Sequence, residues 1–267
     1  MIRDITIGQY YPADSILHRL DPRVKFVSTL VYIVSLFIFS SWIGYGVAAV
    51  FLVAMIILSK VPFGFMVKGL KPIVVLLLIT MFFNLIFTPG EVLWSFWILK
   101  ITKEGIELAA KMGIRLVFLI IGASIMTLTT TPNQLTDGLE RLLRPLNKIH
   151  VPVHEIAMMM SIALRFIPIL MEETDKIMKA QMARGADFET GNLVQKVKNM
   201  IPLLVPLFIS AFRRANDLAM AMEARCYHGG DGRTQMKPLS YERRDYFAYA
   251  VVFTYLAVSI VFRCTGI

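Results

Sequence analysis

The chain has 267 residues, of which 56% are hydrophobic and only 18% charged, and it carries a formal net charge of +9. Soluble domains carry about 25% charged residues, and the mean hydropathy here is +0.62, so the composition excludes an ordinary soluble domain and requires a lipid solvent. The length divides into membrane spans plus one cytoplasmic region, and the placement of the basic residues fits a membrane topology, not a nucleic-acid surface.

Met1 to Lys25 is mixed and charged, and no short apolar core with a small-residue cleavage site follows it. The first span is therefore expected to act as its own uncleaved insertion signal. Phe26 to Ser59 holds no charged residue over 34 positions. A single helix of that length would be about 50 Å long, against a hydrocarbon core of about 30 Å. Ser40-Ser41-Trp42 with Gly44 and Gly46 offers a reversal with an interfacial Trp, giving two spans over 25–41 and 43–59. A third is expected over 72–89, a fourth over 105–130 and a last over 246–262, in a C-terminal segment 246–267. The expected fold is all-α: a polytopic membrane protein with about five transmembrane helices and about three cytoplasmic helices, divided into a membrane domain 1–130, a cytoplasmic region 131–245 and the last span.

Lys and Arg set the orientation. With five spans, 23 of them fall with the N-terminus, segment 60–71 and segment 131–245, against 3 on the other side. The short segments alone give 7 against 3. The positive-inside rule then places the N-terminus in the cytoplasm and the C-terminus outside. Apolar stretches at 156–171 and 200–212 are interrupted by Arg165 and Pro168 and by Pro202 and Pro206. Stretches this short favour membrane-facing helices over an extra pair of spans, and such a pair would leave both termini where they are.

Segment 131–245 opens with Thr131-Pro132, a helix start with Pro at its first position. Helices are expected over Asn133–Asn147, from Val153 to about Arg184, and from Asn192 to about Arg225, followed by a glycine turn at Gly229, Gly230 and Gly232. The two long helices close alike, on Ala183-Arg184-Gly185 and Ala224-Arg225-Cys226, 41 residues apart. An Arg in the last turn complements the helix dipole. With small neighbours it also suits bidentate pairing to a partner's carboxylate. Helix capping and partner docking are evenly balanced on spacing alone. Ten of the sixteen Met residues fall in 131–245, Met158, Met159 and Met160 among them. They suit helix contacts, or an adaptable docking face.

Catalytic patterns are missing. No G-x-x-x-x-G-K-[ST] phosphate loop occurs, and His154-Glu155 lacks the second His of a zinc-protease motif, Met158 standing in its place. The four His residues and the widely separated Cys226 and Cys264 form no ligand or disulfide pattern. The spans are nearly free of the ionisable groups that ion-coupled carriers use; Arg115 is placed near the outer interface, and Asn84 in a helix–helix hydrogen bond.

Pro12-Ala13-Asp14-Ser15-Ile16-Leu17-His18-Arg19-Leu20-Asp21-Pro22-Arg23-Val24-Lys25 resembles the entry to the first span in the transmembrane T component of energy-coupling factor (ECF) transporters. Ala163-Leu164-Arg165-Phe166-Ile167-Pro168, Glu173 and Ala180-Gln181-Met182-Ala183-Arg184-Gly185 resemble the middle of that family, and Ala224-Arg225-Cys226-Tyr227 its second Ala-Arg-Gly motif, with Cys in place of Gly. The similarity covers about residues 8–235. It implies a non-catalytic subunit, without a cofactor of its own, that joins two ABC-type ATPases, which bind ATP and Mg, to a membrane-embedded S component capturing a vitamin or related micronutrient. It further implies that Ala183, Arg184, Gly185, Ala224, Arg225 and Cys226 dock in the ATPases. The apolar remainder of those helices, for which we single out Met158, Met159, Met160, Leu203, Leu204 and Leu207, would face the S component. The alternatives left open are a conventional ABC permease subunit lining the substrate path and a stand-alone proton-coupled carrier.

Overall fold

The computed structural model describes residues 10–39, 41–96, 99–188, 192–230, 236 and 238–264. Among them the chain is helical but for one small hairpin. The order is α1 (Pro22–Ile38), α2 (Trp42–Ser59), α3 (Phe63–Lys68), α4 (Val74–Phe87), β1 (Val92–Phe96), β2 (Leu99–Thr102), α5 (Lys103–Thr129), α6 (Pro132–Leu143), a 3₁₀ turn (Arg144–Ile149), α7 (Val153–Ala183), α8 (Leu193–Glu223) and α9 (Arg243–Cys264). Two compact units result, one of Gly8–Gly138 with Leu239–Ile267 and one built on Leu139–Pro238.

In the first unit α1, α2, α5 and α9 pack together, with α4 against α5. Its core joins Tyr32, Leu36 and Phe39 to Ala48, Leu52, Ile121, Ile125, Leu128 and Tyr255. Gly122 permits a close approach: a Cβ there would sit 2.6 Å from a ring carbon of Tyr32. The outward faces stay apolar, with Val50, Ile57, Val75, Phe82 and Phe87 all exposed, as lipid-facing helices require.

The ends of these helices are closed by the Asp21-to-Lys25 run. Asp21 caps α1, accepting from the Arg23 backbone N–H at 2.8 Å, and grips the Arg23 guanidinium with both carboxylate oxygens. Its own N–H donates to Asp245 Oδ1 at the start of α9. Lys25 Nζ donates to the Thr129 carbonyl at 2.8 Å and to that of His18 at 3.2 Å, supplying a positive charge where the C-terminus of α5 leaves unpaired acceptors. At the far end of α1, Arg115 donates to the Phe39 carbonyl and to Tyr45 Oη. These bonds tie α5 to the end of α1 and the first turn of α2.

Among the described residues four helices are long and apolar enough to cross a membrane: α2, α5, α7 and α9, the last over Arg243–Arg263. The first and third expected spans are shorter, 17 residues in α1 and 14 in α4. A tight turn carries the latter back to Leu70, whose carbonyl accepts from Ile73 and Val74. Asn84 bonds the Thr80 carbonyl within α4, not a second helix. The hairpin was not anticipated; it pairs Phe96 with Leu99 and Trp94 with Ile101, and carries a bulge after Val92.

Candidate functional site

In the second unit α7 and α8 are each 31 residues long, about 46 Å. They pack along their length in opposite directions. Glu173 Oε1 accepts from Ser210 Oγ at 2.6 Å, and its other oxygen holds the Arg214 guanidinium. The Ser210 hydroxyl, followed by the Arg214 bond, draws the Glu173 carboxyl below the usual range. Nearer the end of α7, Gln181 Nε2 donates to the Pro202 carbonyl at 3.4 Å. That carbonyl lacks its helical partner because residue 206 is proline. At the other end Met158 and Ile162 face Leu218 and Met222 around a hollow of about 450 Å³.

The two helix ends have the same backbone geometry. In α7 the N–H of Gly185 donates to the Met182 carbonyl and that of Ala186 to Gln181, both at 3.0 Å. In α8 the N–H of Cys226 donates to the Glu223 carbonyl and that of Tyr227 to Met222, at 2.8 and 3.1 Å. Both are Schellman motifs. Arg184 and Arg225 are the cap residues, and Gly185 and Cys226 take the left-handed position, with φ of 87° and 54°. Small size alone does not account for the Gly position in the motif. Its backbone must be left-handed, which suits glycine and strains cysteine by about 1–2 kcal/mol.

Because the backbone satisfies these carbonyls, the Arg side chains are not needed as caps. Ala183, Arg184, Gly185, Ala224, Arg225 and Cys226 are all exposed. Among the described residues neither guanidinium has a hydrogen bond or ion pair. Since α7 and α8 run antiparallel, the two Arg tips stand at opposite ends of the pair, and Arg225 lies beside the Met158–Met222 hollow.

The six apolar residues singled out for a partner divide by face. Met159, Met160 and Leu204 are exposed, Met158 and Leu207 half-buried, and Leu203 buried. Leu203 is thus removed from the open face, and Leu207 only partly belongs to it. The exposed stripe runs instead through Ile201, Leu204, Val205, Phe208, Ile209 and Phe212, the i, i+3, i+4, i+7, i+8 spacing of one helix face. Sequence reasoning also missed the Glu173–Ser210–Arg214 clamp, whose only signal was Glu173 within a recognised motif. His154 is no free surface group: its Nδ1 lies 2.9 Å from Glu140 Oε1, and Gly230 packs on its ring. Among the described residues no His, Cys, Asp and Glu cluster could hold a metal ion.

The model of the CbiQ family, described as cobalt transport protein, matches residues 13–236. The chain belongs to the CbiQ family. Among its relatives, the energy-coupling factor transporter transmembrane protein EcfT of Clostridium kluyveri is 59% identical over 265 residues, covering 98% of each chain. The protein of the same name from Acidaminococcus fermentans is 54% identical, over 92% of this chain and 91% of its own, and that from Bacillus subtilis 46% identical, over 92% and 93%. The resemblance read from the Arg motifs is thus shown across the chain. As a CbiQ-family member with several apolar helices of spanning length, the chain is a multi-pass membrane subunit of transport machinery.

Proposed function

We propose that this chain is the coupling subunit of an ECF-type importer. It links two cytoplasmic ABC-type ATPases, which bind ATP and Mg, to an S component that captures a vitamin or related micronutrient. The observation that carries the reading is the pair of matching helix ends, each presenting an exposed guanidinium at an opposite end of the α7–α8 pair. Each Arg seats on a carboxylate of one ATPase, Arg184 on one subunit and Arg225 on the other. In this reading residues 131–245 lie on the cytoplasmic side with the N-terminus, and the C-terminus lies outside.

The force path follows from this arrangement. ATP binding closes the ATPase pair and displaces the two docked tips relative to one another. The motion reaches the stripe from Ile201 to Phe212 and, with Met159 and Met160, alters the surface offered to the S component, which tips or is released. Apolar contacts suit this face because they slide and re-pack without leaving unpaired polar groups.

The test is co-purification of ATPases in mild detergent with Arg184→Ala, Arg225→Ala and the double variant, alongside substrate uptake. Truncating one partner of a desolvated charge pair costs about 2–5 kcal/mol, so each single change should weaken ATPase retention and the double change abolish it. Unchanged retention and uptake in the double variant would refute the assignment.

A further inference from the structure

We propose that the membrane unit carries a binding site for one acyl chain of an anionic phospholipid, in a cavity among α1, α2, α5 and α9. The cavity measures about 170 Å³ and sits where α1 and α9 begin and α2 and α5 end. Its wall is apolar, set by Leu52, Met55, Ile125 and Val251 among others. On α1 the lining runs from Lys25 to Tyr32, and on α9 from Arg244 to Val252. Seven residues of helix rise about 10 Å, a third of the roughly 30 Å hydrocarbon core. The slot therefore starts at a membrane interface and runs inward beside lipid. An apolar cavity of about 150 Å³ holds a benzene-sized guest, so this one has room for a chain segment and not for a headgroup.

The charge of its lining says what fills it. Among the described residues the charged side chains in its lining, Lys25 and Arg244, are both cationic, and no carboxylate lines it. Lys25 is buried with its ammonium spent on two carbonyls. Arg244 is exposed at the mouth, where two donors meet Glu242 and the rest of the guanidinium stays available to a phosphate.

The test uses the full chain, purified, stripped of lipid and returned to bilayer discs of phosphatidylglycerol or phosphatidylcholine, with retained lipid counted by native mass spectrometry. One phosphatidylglycerol per chain should survive detergent washing, about fivefold over phosphatidylcholine, the preference that one basic residue at the interface confers. Arg244→Gln should remove the preference while keeping a lipid. Ala248→Phe, which fills the slot, should lose the retained lipid of either kind and keep the thermal midpoint of the lipid-loaded wild type. Inorganic phosphate added alone should raise no midpoint. Equal retention by Ala248→Phe and wild type would overturn the proposal, as would stabilisation by phosphate alone. Should Ala248→Phe fail to fold, Val251→Phe serves in its place with the same outcomes.

Discussion

Lys25 Nζ lies 2.8 Å from the carbonyl oxygen of Thr129, so a side chain at the start of one membrane helix closes the end of another 104 residues away. Both residues are buried. Replacing Lys25 by Met keeps the aliphatic stem and removes the donor, stranding the Thr129 and His18 carbonyls. An unsatisfied buried polar group costs about 1–3 kcal/mol. Lys25→Met should lower the thermal midpoint in detergent by several degrees, and Lys25→Arg should lower it less.

The left-handed residue of each Schellman motif gives a matched pair of predictions. Cys226→Gly removes a side chain from a strained backbone position and should stabilise the end of α8 by about 1 kcal/mol. Gly185→Ala should destabilise the end of α7 by a similar amount. Hydrogen exchange at the Tyr227 and Ala186 amides reads both directly, slower in the first variant and faster in the second.

The clamp between α7 and α8 predicts a coupling. Glu173→Ala strands Ser210 and Arg214 together, so it should loosen the pair more than Arg214→Ala does. A double-mutant cycle on Glu173 and Arg214 should give an interaction energy of about 0.5–3 kcal/mol. A value near zero would reduce the contact to a surface pair of little consequence.

His18 predicts a pH dependence. Its Nε2 lies 3.0 Å from the Tyr11 carbonyl and its Nδ1 2.6 Å from Ser15 Oγ, the pattern of a neutral ring that donates through Nε2 and accepts through Nδ1. Burial foremost lowers its pKa below 6.5, with the Lys25 charge adding to this and the Tyr11 carbonyl and Asp14 opposing it. The unfolded chain therefore binds more protons between the folded pKa and 6.5, and stability falls as pH drops through that window. The wild type should lose stability below pH 6.5 more steeply than His18→Gln, as measured by thermal midpoint against pH.

Topology can be read with thiols. With Cys226 and Cys264 both replaced by Ser, a cysteine placed at Lys148, exposed in the 3₁₀ turn, should react with a membrane-impermeant maleimide only after cells are opened. A cysteine placed at Ser41, between α1 and α2, should react in intact cells. The reverse pattern would invert the proposed orientation.

The sequence resolved the long elements well because their ends carry strong local signals. The Ser41-Trp42 reversal separates α1 from α2, Pro132 opens α6, and the two Ala-Arg ends close α7 and α8. It failed where the deciding partner is remote. Asp245 and Asp21 meet across 224 residues, and neither position betrays the other. The hairpin was hidden by brevity: Val92 to Thr102 alternates only loosely, between two apolar helices. Leu203 was put on the open face because Met200–Phe212 is apolar on all sides, so periodicity does not decide which residues turn inward. At Cys226 the sequence shows only that Cys stands where the motif has Gly, and the backbone angle that governs the position is not visible in it.

The prolines within the paired helices set where those helices yield. Pro168 interrupts the ladder of α7, and Pro202 and Pro206 that of α8, each removing one backbone bond that would resist curvature. The segments leading to Arg184 and Arg225 keep an unbroken ladder and act as stiff levers. A push on either guanidinium is thus absorbed near mid-length rather than at the tip, with Gln181 serving as a removable brace on the weakest rung.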